Sequence, residues 1–294
     1  MPAPRRANVS LPDVRGESVD LSFLVSGEGP PLVLLHGLGA SSGVWHVQEP
    51  ELARHHRVYA LDLPGSGHSP MPRTPPSGDW AVEVVASFVD SVVGAPVTLI
   101  GHSMGGTIAL LCALQRPALV RSLVLVSTAG LGSEVSLFLR LLSLPGVDRL
   151  AEFLVPHLMR RCGERWRRSI RRRFARPTDE AVFGPVLDEA FERYRRQEAV
   201  RAFMTALRAG TEWRGQRRRY QLMDRLTELA MPVLLVWGRD DRVLPLDHAV
   251  RAAESGPLEL RVLSRCGHSP HLEAAALFTG LLLEFLSRGH SGVI

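Results

Sequence analysis

The chain has 294 residues, 45% of them hydrophobic and 22% charged, with 26 glycines and 21 prolines. These proportions exclude a disordered, collagen-like or coiled-coil polypeptide and describe a globular one, long enough to bury roughly 75% of its unfolded surface. The formal net charge is +5 with every cation an arginine, and Cys112, Cys162 and Cys266 are too few for a disulfide framework or zinc knuckle and suit a reducing compartment.

The opening stretch Met1–Ser10 carries Arg5 and Arg6 but runs into Asp13, Arg15, Glu17 and Asp20, so it lacks the apolar stretch of a secretory signal. No run approaches the ~18–20 apolar residues of a membrane helix, and a cytoplasmic location without a membrane span is expected. Val9–Leu11 and Val19–Leu24 read as an antiparallel edge pair. Pro31–Leu35 is a short, wholly apolar run, the pattern of a strand buried on both faces of a parallel sheet. Similar runs recur at Val58–Leu63, Val97–Ile100, Leu123–Ser127, Val233–Trp237 and Leu258–Leu263, with helical patterns at Ala81–Val93 and Thr107–Gln115. This alternation predicts an α/β fold with a mostly parallel central sheet flanked by helices.

From Leu131 to Ala230 no strand-like run appears, and the amphipathic segments Val147–Phe174 and Thr178–Ala209 dominate. About 100 residues of helix between two strands read as an inserted all-helical cap. The expected organisation is a core of residues 1–130 and 231–294 interrupted by a cap at 131–230. Charge follows the same division: 20 Arg stand against 10 Asp and Glu between Arg149 and Arg225, and 15 against 20 elsewhere.

The strongest chemical signal is Gly101-His102-Ser103-Met104-Gly105-Gly106, between a predicted strand and a predicted helix. A serine on such a turn presents its hydroxyl, its flanking glycines let backbone pass closely, and the helix N-terminus favours developing negative charge. The hydroxyl is a weak nucleophile that needs a base, which in turn needs an orienting carboxylate. An acid follows the strand Val233–Trp237, at Asp240 or Asp241, and a histidine follows the last strand, at His268 or His271. Both lie past the C-terminal ends of strands, where open α/β sheets place their sites. The Met104 backbone N–H is one expected oxyanion donor.

These residues and their order resemble the α/β-hydrolase family over nearly the whole chain. The family pattern G-x-x-D-x-x-x-P falls on Gly238, Asp241 and Pro245, which implies Asp241 as the orienting acid. The family's Gly-His falls on Gly267-His268, which implies His268 as the base and a structural role for His271. The His36-Gly37-Leu38-Gly39 loop implies a second oxyanion donor at the Leu38 N–H, with His36 ordering the loop, and Asp62–Ser69 matches a structural family turn.

The resemblance implies a capped serine hydrolase that acts through an acyl-enzyme on a small-molecule carboxylic ester, lactone or thioester, with no metal or organic cofactor. The serine disfavours relatives that use a carboxylate nucleophile on epoxides or halides. Carbon–carbon hydrolases keep the serine but typically carry Trp after the base, where this chain has Ser269. A cofactor-free lyase or cyclase on the same scaffold is a further alternative, and a binding protein with a vestigial site is a third.

The cap is expected to turn Leu137, Phe138, Leu141, Leu142, Phe153, Leu154, Leu158, Phe203 and Met204 inward, with Phe138, Leu142, Phe203 and Met204 binding substrate; core packing would give the same periodicity. Gly37–Gly43 imitates a dinucleotide fingerprint with a spacing one residue too long. The histidine pairs lack metal-ligand partners at matching spacing. Without stacking aromatics, the basic cluster Arg165–Arg173 reads as a solvated helix face, so no nucleic-acid partner is expected. A homodimer is left open.

Overall fold

A computed structural model describes residues 3–12, 16–73, 77–171 and 180–288. Asp13, Arg15, the end of the basic cluster at Arg172 and Arg173, Phe174 and Thr178 lie outside the described residues. In chain order the first elements are β1 (Arg5–Pro12), β2 (Ser18–Ser26), β3 (Pro31–Leu35), α1 (Glu49–Leu52), β4 (Arg57–Asp62) and α2 (Gly78–Phe88). They are followed by β5 (Val97–His102), α3 (Met104–Gln115) and β6 (Val120–Val126). The inserted stretch holds α4 (Leu137–Leu142), α5 (Val147–Arg171), α6 (Glu180–Arg193), α7 (Gln197–Gly210), β7 (Thr211–Glu212) and β8 (Gly215–Gln216). The chain closes with β9 (Val233–Gly238), α8 (Asp247–Ser255), β10 (Leu258–Leu263), α9 (Pro270–Glu273) and α10 (Ala275–Arg288).

Eight strands form one sheet in the order β1-β2-β4-β3-β5-β6-β9-β10. The pairings from β4 through β10 are parallel, and β1 and β2 join antiparallel at one edge. The apolar runs explain this directly, because alternate side chains of each central strand feed different cores. On one face Val33, Leu35, Leu99, Leu123 and Leu125 pack with Trp80 of α2 and Ile108 of α3. On the other, Leu32, Leu34, Ile100, Val124 and Val126 pack with Trp45 and with Phe278 and Leu282 of α10. A strand polar on one face would expose half of this core.

The expectation of an all-helical insert is corrected by the short antiparallel pair β7–β8. Two residues per strand are too few to show alternation in the sequence. Gly215 makes the hairpin possible: its φ is +127°, and a Cβ there would strike the Ser133 carbonyl. Within α5, Cys162 departs from helical geometry and Pro156 interrupts the hydrogen-bond ladder, so the long predicted helix is kinked.

Candidate active site

Ser103 sits between β5 and α3 with φ 52° and ψ −114°, a left-handed conformation that is strained for a residue with a Cβ. Its amide donates to the Val126 carbonyl at 3.0 Å, and its own carbonyl accepts from Thr107 and Ala129. The flanking glycines have steric reasons to be glycine. A Cβ on Gly101 would strike the Gly105 backbone, and one on Gly105 would meet the Leu35 and His36 carbonyls at 2.5 Å. The turn therefore rests directly on the end of β3.

The Ser103 hydroxyl donates to His268 Nε2 at 3.0 Å. His268 Nδ1 donates to Asp241 Oδ2 at 2.8 Å, and the Asp241 carboxylate is fully buried. Because a carboxylate only accepts, this bond places the imidazole proton on Nδ1 and leaves the Nε2 lone pair for the serine. The other carboxylate oxygen accepts the Val243 and Leu244 amides at 2.8 and 3.0 Å, which locks the acid in place. Asp240 is exposed and turned away, its amide bonded to the Cys266 carbonyl.

Three further groups hold this constellation. His102 Nε2 donates to the His268 carbonyl at 2.8 Å. Glu273 of α9 is buried, and its carboxylate accepts the Gly267 and Ser269 amides at 2.8 and 2.9 Å, bracing His268 on both sides. His271 is buried between Trp45 and His102, with ring centroids 4.6 and 4.5 Å away. Burial, reinforced by the facing His268, pushes His102 down to about 3. Burial and the neighbouring histidines hold His271 well below its ordinary 6.5.

Both histidines are neutral when folded and bind a proton near pH 6.5 when unfolded. The fold therefore keeps its full stability above that pH and loses it as pH falls from there towards the folded values. For His102 this amounts to a loss of about 2 kcal/mol between pH 7 and pH 5, and His271 adds a loss of the same sign. His102→Gln, which keeps a donor for the His268 carbonyl, is expected to shrink the pH 7-to-5 drop in urea-unfolding free energy by about that amount. An unchanged drop would contradict the neutral buried state.

Two backbone segments flank Ser103 on its other side. The Met104 amide opens α3, where first-turn N–H groups have no intrahelical acceptor. Gly37 runs against the elbow so closely that a Cβ would meet Ser103 Cβ at 3.2 Å and His102 Nδ1 at 2.7 Å, and the next residue, Leu38, borders the same two cavities as Ser103. His36 orders this loop from a buried position: its Nδ1 lies 2.8 Å from the Gly37 carbonyl, and Nε2 accepts the Leu63 amide at 3.1 Å. Burial lowers its pKa. Asp62 is likewise structural, accepting the Ser42 and His68 amides and the Arg6 guanidinium.

The insert clamps the same loop. Arg193 donates to the Ala40 carbonyl at 2.6 Å and the Gly39 carbonyl at 3.3 Å, while pairing with Glu189. The Tyr194 hydroxyl donates to the Gly39 carbonyl at 3.1 Å. Gly39 has φ +75°, and the Tyr194 hydroxyl and Phe203 ring occupy the space a side chain would need.

Two cavities meet at Ser103. One, of about 150 Å³, is bordered by Leu38, Trp80, Ile108, Leu139, Leu207 and Leu244 among others and is almost wholly apolar. The other, of about 210 Å³, is bordered by Ser41, Glu189, Arg193, His268, Ser269 and His271 and is more polar. Of the residues expected to bind substrate, Phe138, Leu142, Phe203 and Met204 border neither of these two cavities. Phe138 faces outward and is 54% exposed. Met204 is buried with Val200 and Leu207 inside the insert, and Leu142 and Phe203 pack against that cluster. α4 and α7 turn Leu139, Ala206 and Leu207 to the apolar cavity instead.

Glu273, Arg193 and Tyr194 escaped the sequence reading. The available signal for Glu273 was an acid five residues beyond His268, just before the apolar run Ala274–Leu277. Among the described residues, no group of three or more His, Cys, Asp or Glu is placed to hold a metal, and no helix is long and apolar enough to cross a membrane.

A family model described as alpha/beta hydrolase fold matches residues 30–275. An uncharacterised protein of Mycobacterium tuberculosis is 33% identical over 276 residues, covering 90% of this chain and 77% of its own length. A 2-hydroxy-6-oxo-6-(2'-aminophenyl)hexa-2,4-dienoic acid hydrolase of Metapseudomonas resinovorans is 29% identical, covering 94% of this chain and 90% of its own. Among solved structures, the 2-hydroxy-6-oxo-6-phenylhexa-2,4-dienoate hydrolase of Rhodococcus sp. superimposes with a TM-score of 0.79 at 24% identity, covering 97% of this chain and all of its own.

Proposed function

The chain belongs to the alpha/beta hydrolase fold family, and from that premise we propose that it is a serine hydrolase transferring the acyl group of a carboxylic ester, lactone or thioester to water. One observation carries the reading: His268 lies within hydrogen-bond distance of Ser103 on one ring nitrogen and of a buried Asp241 on the other. In the proposed cycle Ser103 Oγ attacks the carbonyl carbon while His268 Nε2 takes the hydroxyl proton. Asp241 stabilises the resulting imidazolium. The Leu38 and Met104 amides receive the carbonyl oxygen as it becomes negative. His268 then returns the proton to the leaving oxygen or sulfur. In the second half His268 takes a proton from water, the hydroxide attacks the acyl carbon, and the proton passes back to Ser103.

The two cavities give this substrate a direction. The apolar one suits the hydrocarbon part, since a cavity of about 150 Å³ accommodates a benzene-sized group. The more polar one suits the other side of the scissile bond. Ala206 borders the apolar cavity, so Ala206→Phe should shift preference from hexanoate towards acetate esters by about 10-fold or more in kcat/KM. An unchanged chain-length profile would remove that wall from the acyl site.

The direct test is intact-mass labelling with a small fluorophosphonate. One adduct on the wild type, absent from Ser103→Ala and His268→Ala, is the expected result. A folded wild type that remains unlabelled would sink the acyl-enzyme mechanism. A second reading, hydrolysis of a carbon–carbon bond beside a carbonyl, draws on the relatives named for that chemistry. Turnover of ring-cleavage dienoates without turnover of esters would favour it.

A further inference from the structure

Of the ten exposed large hydrophobic side chains among the described residues, seven lie on two consecutive helices of the insert. On α4 these are Leu137, Phe138 and Leu141, the first two 64% and 54% exposed. On α5 they are Leu150, Phe153, Leu154 and Leu158, with Phe153 at 70%. The spacing 150, 153, 154, 158 is that of one helical face. Trp213 belongs to the same region: it is exposed at the β7–β8 turn, and its carbonyl accepts from Arg140 of α4 at 2.7 Å. Isolated exposed leucines need no explanation, but here Leu139 and Leu142 of α4 and Val147, Ala151 and Val155 of α5 pack on one inner cluster while seven apolar neighbours on the same two helices stay outside, a concentration that suits a docking surface.

Charge identifies the partner. The two acids at the start of α5 are turned to α7, where Asp148 pairs with Arg208 at 2.6 Å and Glu152 with Arg201 at 3.0 Å. The exposed residues around the apolar face include Arg149, Arg161 and Arg165 on α5, and Arg214 stacked over Trp213. An apolar stripe with a cationic border and a tryptophan at its edge has the composition of a segment that lies in a bilayer interface. A second copy of the chain meeting this face would set the arginine borders of both copies against each other. Anionic headgroups would neutralise the same arginines while the apolar side chains enter the acyl region.

We propose that the outer face of α4 and α5 docks on an anionic lipid surface. The docking is independent of catalysis; its use to bring in acyl substrate rests on the hydrolase reading above. α4 is the wall between the two: Leu139 borders the apolar cavity, while Leu137, Phe138 and Leu141 face out. An apolar ester drawn from the surface would then cross about one helix diameter, some 10 Å, to reach the cavity.

The test is flotation with vesicles of phosphatidylcholine, alone or mixed with phosphatidylglycerol, at low and high salt. The wild type is expected to bind the anionic vesicles about 10-fold or more tightly than the neutral ones, with the preference lost at high salt. Leu150→Asn with Phe153→Ser should abolish binding, and Arg161→Glu with Arg165→Glu should remove the anionic preference. Both variants should keep wild-type melting and turnover of a soluble acetate ester. Absence of wild-type binding to anionic vesicles overturns the proposal. So does a wild-type dimer, measured by light scattering, that ignores vesicles and becomes monomeric in Leu150→Asn with Phe153→Ser. Ser103→Ala should float like the wild type. If docking persists while no ester is turned over by any form, the hydrolase reading falls and the docking surface stands.

Discussion

Ser103→Ala is expected to lower kcat/KM on a soluble acyl ester by about 10⁴-fold or more, equivalent to about 5–6 kcal/mol of transition-state stabilisation. The size follows from what the variant retains. The Leu38 and Met104 amides, the two cavities and the His268–Asp241 pair all stay, so residual catalysis comes from oxyanion binding and orientation alone. Removing the hydroxyl deletes the attacking atom and leaves a lone pair on His268 Nε2 without its donor. The fold should not register the change, since alanine is no more strained than serine at this φ and the hydroxyl bonds only to His268. Steady-state kinetics together with thermal melting check both halves. A fall of less than about 100-fold would show that the reaction does not pass through this oxygen.

Asp241→Asn is expected to cost about 10⁴-fold in kcat with little effect on stability, and for a different reason. The carboxamide oxygen can still accept the Val243 and Leu244 amides, so its NH2 group is turned towards His268 Nδ1. That nitrogen must then accept, its proton moves to Nε2, and the ring presents N–H to the serine instead of a lone pair. The base is present in the wrong tautomer. Asp240→Asn serves as the control: an exposed carboxylate with no role at the ring should leave kcat within about twofold. Equal losses in the two variants would mean a general charge effect and would remove Asp241 from its assigned place.

The core of the fold was legible because burial on both faces leaves a crude mark, an unbroken apolar run such as Val97–Ile100 or Val233–Trp237 bounded by glycine or proline. The elbow was legible for steric reasons, since Gly101 and Gly105 stand where backbone leaves no room for a Cβ. The identity of the cavity walls was not. Leu139 and Phe138 are adjacent on α4, equally apolar, and lie on opposite sides of it. Hydrophobic periodicity records which residues share a face, and nothing in it says which face meets the sheet. On α4 and α5 much of the apolar face turned out to be the outer one. Glu273, Arg193 and Tyr194 were hidden for another reason: their work is to hold backbone amides and carbonyls, and a backbone partner has no letter in the sequence.

The hold of Arg193 and Tyr194 on the Gly39 and Ala40 carbonyls has a consequence for engineering by transplantation. Exchanging residues 131–230 for the corresponding piece of another hydrolase is a natural route to new specificity. In this protein the exchanged piece would carry away the hydrogen-bond donors of two carbonyl oxygens one and two residues past Leu38. A graft must therefore restore a guanidinium and a hydroxyl at those points, or the recipient inherits a new pocket above a loosened Gly37–Ala40 loop. Chimeras lacking that pair should fail in turnover on every substrate alike, and those that keep it should differ in choice of substrate.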